Sequence, residues 1–235
     1  MSYIKVDSLT KHYGSGGTLV KAVREMTFEI DKGEFAVIMG QSGSGKSTLL
    51  SVMGALNTPT SGKYTVDDID VYSLGSDQMA DFRREFLGFV FQSFHLIPYL
   101  TVLENVMLPL TTLKIKVQKK KQMAGYALER VGLGNKSSRL PSEVSGGEQE
   151  RVAIARAIAN EPPILLADEP TGNLDTKTSQ GIMDLFQCLN SDGTTIVMVT
   201  HNRSSASYAR RLLQVSDGLL VERNPCLREV KSQVM

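Results

Sequence analysis

An apolar run, Phe35-Ala36-Val37-Ile38-Met39, leads directly into Gly40-Gln41-Ser42-Gly43-Ser44-Gly45-Lys46-Ser47-Thr48. The second segment fits the pattern G-x-x-x-x-G-K-[ST], a phosphate-binding loop, and it stands between a strand pattern and a helix pattern as such a loop requires. Glycines let backbone N–H groups curl around a phosphate without Cβ clashes, and the helix that follows adds partial positive charge at its N-terminus. Lys46 then reaches the β- and γ-phosphates of a nucleotide, and the Ser47 hydroxyl ligates Mg²⁺. A chain carrying this loop must place a buried strand beside a helix, which points to an α/β fold.

The rest of the pattern agrees with a parallel sheet. Ile164-Leu165-Leu166-Ala167 and Thr195-Ile196-Val197-Met198-Val199 are continuous apolar runs, as expected for central strands covered on both faces. Arg24 to Ile30 instead alternates, with Met26, Phe28 and Ile30 on one side, and reads as a half-buried antiparallel strand. Helical patterns cover residues 46–56, 117–131, 147–160 and 176–190, the last with Ile182, Met183, Leu185, Phe186 and Leu189 on one stripe. From about Ser93 to Asn160 the periodicity is helical with no strong strand. Near the end, Ser216-Asp217-Gly218 lies between two apolar runs and signals a hairpin.

These patterns predict one domain over residues 1–235: antiparallel β and the first part of an α/β core in 1–92, an inserted α-helical subdomain in 93–161, the rest of the core in 162–223, and a tail in 224–235.

Asp168-Glu169 closes the second apolar run. The C-terminal end of a parallel strand is where open α/β sheets bind ligands, so Asp168 is expected in the Mg²⁺ shell and Glu169 on the attacking water. The two motifs together imply a nucleoside-triphosphate hydrolase. Composition removes competing classes: 26 basic against 25 acidic residues leave no overall positive field for general nucleic-acid binding. No apolar run approaches the roughly 20 residues of a membrane span, and the first ten residues lack a signal-peptide pattern. Cys188 and Cys226 form no metal or redox motif and are expected as reduced thiols.

Val144-Ser145-Gly146-Gly147-Glu148-Gln149, followed by Glu150-Arg151-Val152-Ala153-Ile154-Ala155-Arg156-Ala157, resembles the signature motif of ATP-binding cassette (ABC) nucleotide-binding domains. Physically, Ser145 can cap a helix whose N-terminus offers an anion site. Further landmarks stand in the order of that family. Tyr13 resembles the aromatic residue that stacks on adenine, and Gln92 the glutamine that senses Mg²⁺ and water. Gly172-Asn173-Leu174-Asp175 resembles the loop that crosses a dimer interface, and His201 the histidine that contacts the γ-phosphate. The resemblance covers roughly Ser2 to Glu222. It implies a P-loop NTPase with a RecA-like parallel core, catalytic Glu169, His201 and Gln92, Mg²⁺ held by Ser47, Gln92 and Asp168, and ATP bound by Tyr13, Gly40 to Thr48 and Ser145 to Glu148. Val144 and Glu148 replace the leucine and glutamine usual in the signature, a departure that touches only fine contacts.

The run Phe91 to Val106, together with Ala167 to Asp175, is similar to the bacterial macrolide-export and lipoprotein-release ATPases, which work with a separate membrane permease. The resemblance therefore implies an ATP-hydrolysing subunit on the cytoplasmic face of the bacterial inner membrane. Its expected partners are a second copy, arranged head to tail around ATP, and a permease, with no nucleic acid. Two alternatives stand beside it: a nucleotide-gated mechanical regulator without a transported substrate, and a soluble ABC ATPase. The latter fits poorly, since no sustained heptads lie between Lys46 and Ser145. The apolar residues Phe94, Leu96, Ile97, Pro98, Tyr99 and Leu100 either line a groove for a permease helix or pack the helical subdomain. The lysines at 114, 116, 119, 120 and 121 form either a solvated face or a contact with an anionic membrane surface.

Overall fold

The computed structural model describes residues 2–225. The chain opens with two long strands, β1 (Ser2–Tyr13) and β2 (Val20–Asp31), followed by β3 (Phe35–Met39), α1 (Lys46–Met53), β4 (Ser61–Val66) and β5 (Ile69–Asp70). Helix α2 (Ser76–Phe86) leads into β6 (Leu87–Val90), and then come three helices, α3 (Val102–Met107), α4 (Val117–Arg130) and α5 (Gly146–Ile158). The chain returns through β7 (Ile164–Asp168), α6 (Thr176–Ser191), β8 (Thr195–Thr200), a short α7 (Arg203–Ala206), β9 (Arg211–Ser216) and β10 (Leu219–Pro225).

Two sheets result. One is antiparallel, in the order β2-β1-β4-β5; the other has six strands in the order β10-β9-β3-β8-β7-β6, parallel except for the β10 edge. Side chains alternate between the two faces of a strand, and in β3 both faces are covered. Ala36 and Ile38 pack with α1 (Leu49, Leu50, Val52, Met53) and the antiparallel sheet, whereas Phe35 and Val37 belong to the core shared with α3, α4, α5 and α6. Burial on both faces explains why β3, β7 and β8 are unbroken apolar runs. The molecule is thus a P-loop NTPase α/β core, flanked by an antiparallel β layer and by helices lying between β6 and β7.

Several boundaries differ from expectation. Helix α1 stops at Met53 rather than Leu56, because Ala55 turns into the left-handed region (φ +52°) and Leu56 N–H bonds back to the Ser51 carbonyl (2.9 Å), closing the helix. The expected tail from residue 224 starts too early: Asn224 and Pro225 pair with Leu212 and Arg211 in the β9–β10 ladder, since backbone pairing continues past the last apolar residue. Residues 226–235 of that tail, Cys226 among them, lie outside the described residues; Cys188 is a free, exposed thiol. No helix among the described residues is long and apolar enough to cross a membrane.

Candidate active site

The C-terminal ends of β3, β7 and β8 come together, and the loops leaving them build one open cleft of about 890 Å³. After β3 the chain cannot turn with ordinary residues. Gly43 and Gly45 have φ of +78° and +100°, and a Cβ on Gly45 would stand 2.0 Å from the Ala22 carbonyl oxygen. Glycine alone tolerates both demands. The loop is held from outside by the β9–β10 hairpin, whose Gly218 N–H donates to the Ser44 carbonyl (3.0 Å) while its own carbonyl accepts from Arg24 N–H (2.8 Å).

Lys46 is buried, and its Nζ donates to the carbonyls of Gly40 and Gln41 at 2.9 Å each, so the ammonium is folded over the loop that a phosphate would occupy. Ser47 Oγ donates to Asp168 Oδ1 at 3.0 Å, joining the start of α1 to the end of β7. Burial raises the Asp168 pKa, opposed by the Ser47 bond, with the neighbouring Glu169 charge raising it further and Lys46 lowering it. A hydroxyl beside a carboxylate is a hard-oxygen pair of the kind Mg²⁺ prefers. The glycine cradle, Lys46 and this pair fit a magnesium-bound triphosphate.

Glu169 follows Asp168 with φ +47°, a left-handed conformation rarely adopted outside glycine. That turn is stabilised by its N–H bond to the Val199 carbonyl (2.9 Å) and aims the carboxylate at the end of β8. There Thr200 Oγ1 donates to Oε2 at 3.0 Å, the His201 N–H approaches the same oxygen at 3.3 Å, and His201 Nδ1 lies 2.9 Å from Oε1.

Tyr13, Gln41, Ser42, Gly43, Gly45, Lys46, Ser47, Thr48, Gln92, Glu169 and His201 all line the cleft. Tyr13 is 40% exposed, receives a bond from Asn57 Nδ2 (3.3 Å) and carries Lys11 Nζ 5.0 Å from its ring centroid. Gln92 sits just past β6. Its carbonyl accepts from Asn173 Nδ2 at 3.0 Å, and its amide nitrogen lies so near Gly172 that a Cβ there would be 3.3 Å away. Of the loop residues, Ser44 is buried beneath the cleft and Gly40 lies against the Val215 carbonyl, which a Cβ would approach to 2.2 Å.

Ser145, Gly146, Gly147 and Glu148 are placed elsewhere. They start α5, where Ser145 and Glu148 form a reciprocal cap: Ser145 N–H donates to Glu148 Oε2 (3.0 Å) and Glu148 N–H to Ser145 Oγ (3.4 Å). Lys136 also bonds Glu148, and this contact, ahead of the Ser145 bond, holds the carboxyl below its usual range. Gly147 is packed against Thr178 at 2.3 Å for a hypothetical Cβ. None of the four lines the cleft.

Four contributing residues carry no motif in the sequence. Asp217 and Gly218 enter the cleft through a hairpin that reads only as a turn. Thr200 is an apolar-run terminus until its bond to Glu169 is seen. Fully buried Asn105 ties down the segment after Gln92, accepting from Ile97 N–H (2.7 Å) and donating to the carbonyls of Ile97, Leu100 and Thr101 (3.0–3.1 Å).

Known proteins place this geometry in a family. The ABC transporter family matches residues 23–172. The uncharacterised ABC transporter ATP-binding protein YvrO of Bacillus subtilis is 46% identical over 218 residues, 93% of this chain and 95% of YvrO. The macrolide export ATP-binding/permease protein MacB of Syntrophobacter fumaroxidans is 44% identical over 94% of this chain, which spans only 31% of that longer protein. Among solved structures, the dimeric ABC transporter cassette MJ0796, whose sequence is from Methanocaldococcus jannaschii, superposes with a TM-score of 0.86 at 43% identity, covering 94% of this chain and 98% of that one. A structure of the same cassette in a post-hydrolysis state with ADP and Pi superposes equally well, at 42% identity. The chain belongs to the ABC transporter family, as one of its ATP-binding, ATP-hydrolysing cassettes.

Proposed function

We propose that this chain is the ATPase subunit of a transporter of the macrolide-export or lipoprotein-release type, and that two copies close head to tail on ATP and reopen after hydrolysis to drive a separate membrane permease. The observation that carries this reading is the separation of Ser145–Glu148 from the cleft that holds Lys46, Ser47, Glu169 and His201. A helix start with a capping serine and two glycines suits a phosphate, yet it stands outside the cleft in which its own chain would bind one. A second copy, rotated to face the first, supplies the missing half. The dimeric state of the MJ0796 cassette supports the arrangement, and the MacB relative, which joins a cassette to a permease, supports the kind of partner.

In this reading the Gly40–Thr48 backbone and Lys46 bind the phosphates, and Tyr13 stacks on the base. Ser47, Asp168 and Gln92 hold Mg²⁺, which neutralises phosphate charge when bound. Glu169 orients and deprotonates the attacking water, with His201 beside it at the γ-phosphate. The subunit works peripherally at the cytoplasmic face of the membrane. Phe94 to Leu100, adjoining Gln92, receives a cytoplasmic helix of the permease.

Glu169→Gln tests the cycle, because it keeps the shape and removes the base. Size-exclusion chromatography with Mg-ATP should show a stable dimer that wild type forms only transiently. A monomer that still hydrolyses ATP sinks both the assignment of Glu169 and the closed-dimer cycle.

A further inference from the structure

Residues 105–128 contain five lysines, at 114, 116, 119, 120 and 121, and no aspartate or glutamate, in a chain whose formal net charge is only +1. The structure gathers them at the start of α4 and in the turn before it. Lys114, Lys116, Lys119 and Lys121 are exposed, Lys120 is half-buried with its Nζ on the Thr111 carbonyl (2.8 Å), and none of the five forms an ion pair with a described residue. Two apolar side chains stand out among them, Ile115 at 40% and Val117 at 62% exposure.

Helix stability does not account for this pattern. Helix α4 has no side-chain N-cap and no acidic residue in its first turn, where lysines face the positive end of the helix dipole and repel it. The helix is anchored instead by its far half, through buried Ala124, Ala127 and Leu128. A locally unfavourable charge arrangement retained at a surface is a mark of an external partner. The patch also adjoins the proposed docking segment: Glu104 caps Thr101 (2.7–2.8 Å), immediately after Tyr99 and Leu100, and its carboxyl is held low first by these Thr101 bonds and last by the Lys121 charge.

We propose that the Lys114–Lys121 patch rests on the anionic lipid surface beside the permease, with the ammonium groups on lipid phosphates and Ile115 and Val117 dipping into the interface. Clusters of four to eight basic residues beside a membrane bind anionic lipid in this way. The proposal builds on the reading that the chain works at a membrane, but vesicle binding is measured without the permease, so the two can fail separately.

The experiment is flotation of the full chain with phosphatidylcholine vesicles, with and without roughly one part in three phosphatidylglycerol. Wild type should float only with the anionic vesicles and should be released by high salt. The triple variant Lys119→Gln, Lys120→Gln, Lys121→Gln should bind about a hundredfold more weakly, from about fivefold per lysine, with ATP hydrolysis unchanged. A control with the same loss of charge, Lys5→Gln, Lys32→Gln, Lys63→Gln, should keep wild-type binding. Wild type that ignores anionic vesicles overturns the proposal, and so does equal loss in both triples, which would reduce the effect to net charge. If the first triple instead loses only co-purification with the permease in detergent, the patch meets an acidic protein face and the lipid assignment is wrong.

Discussion

His201 Nδ1 stands 2.9 Å from Glu169 Oε1, while Thr200 Oγ1 donates to the other oxygen of the same carboxylate at 3.0 Å. The end of β8 thus grips both oxygens of a residue that leaves β7 in a left-handed turn. Thr200 is fully buried, and its Oγ1 also accepts from Asn202 N–H (3.0 Å), which fixes the hydroxyl and with it the carboxylate.

Thr200→Val keeps volume and removes that hydroxyl. The Glu169 carboxylate then loses one of the donors that orient it, so kcat should fall roughly tenfold, as one lost hydrogen bond of about 1.4 kcal/mol implies. KM for ATP should change little, since Thr200 is not among the residues lining the cleft. Steady-state kinetics beside His201→Ala and Glu169→Gln, the latter expected to lose roughly 10²- to 10⁴-fold in rate, orders the three. Full activity in Thr200→Val would mean that Glu169 needs no such support.

Lys46→Ala removes a buried ammonium whose hydrogen-bond partners among the described residues are the carbonyls of Gly40 and Gln41. A charge-assisted bond to phosphate is worth roughly 1.5–3 kcal/mol, so the ATP Kd should rise on the order of tenfold to a hundredfold, and hydrolysis should collapse. Fluorescent-nucleotide titration reads the first and phosphate release the second. Unchanged turnover at saturating ATP would remove this loop from the site.

The parts of this fold that speak through sequence are those where one physical demand acts on every residue. Strands β3, β7 and β8 are buried on both faces and read as apolar runs, and α6 carries one clean stripe. Strand β1 is as long as β2 but is silent. Its register shifts around Ser8, whose φ is +48°, so the alternation that would announce Ser2–Tyr13 breaks in the middle. Helix α2 buries only Phe82 fully, too thin a stripe to stand out, and β6 is four residues long with Gly88 pressed against the Ala157 carbonyl. In the site, the loop and Asp168-Glu169 are local chemistry and can be read in line. The Gly218 clamp on Ser44 and the Thr200 bond to Glu169 join distant segments, and no spacing in the chain records them.

Glu150, the fifth residue of α5, is fully buried with no hydrogen-bond partner on either oxygen. Burial pushes its pKa up to about 8, with the Arg156 charge opposing the shift. The folded-state pKa lies above the unfolded value, so folding binds a proton between roughly pH 4.5 and pH 8, and stability falls as pH rises through that window. Glu150→Gln should flatten this slope: Tm of the variant should match wild type near pH 5 and exceed it by several degrees at pH 8. Parallel thermal melts across this range check it; identical pH profiles would show that the carboxyl is paired or hydrated in solution.

The docking proposed at the segment after Gln92 involves two kinds of side chain. Tyr99 is 79% exposed, whereas Leu96 is partly buried against the core shared with α3 to α6. The loop backbone is held independently of both: Asn105 bonds Ile97, Leu100 and Thr101, and the Arg156 guanidinium donates to the carbonyls of Phe94 and His95 at 2.6 Å each, both residues having φ near +48°. A large exposed tyrosine on a rigid loop is the kind of side chain that the proposed docking would bury. Tyr99→Glu should therefore leave Tm and ATP binding intact while abolishing co-purification with the permease. Leu96→Glu should lower Tm as well, because it takes a charge toward the core, so its effect on association cannot be read alone. Arg156→Lys should keep the fold yet weaken association, since one ammonium cannot span two carbonyls that a guanidinium fork holds together. Intact association in Tyr99→Glu would move the permease contact to another face of the helical layer.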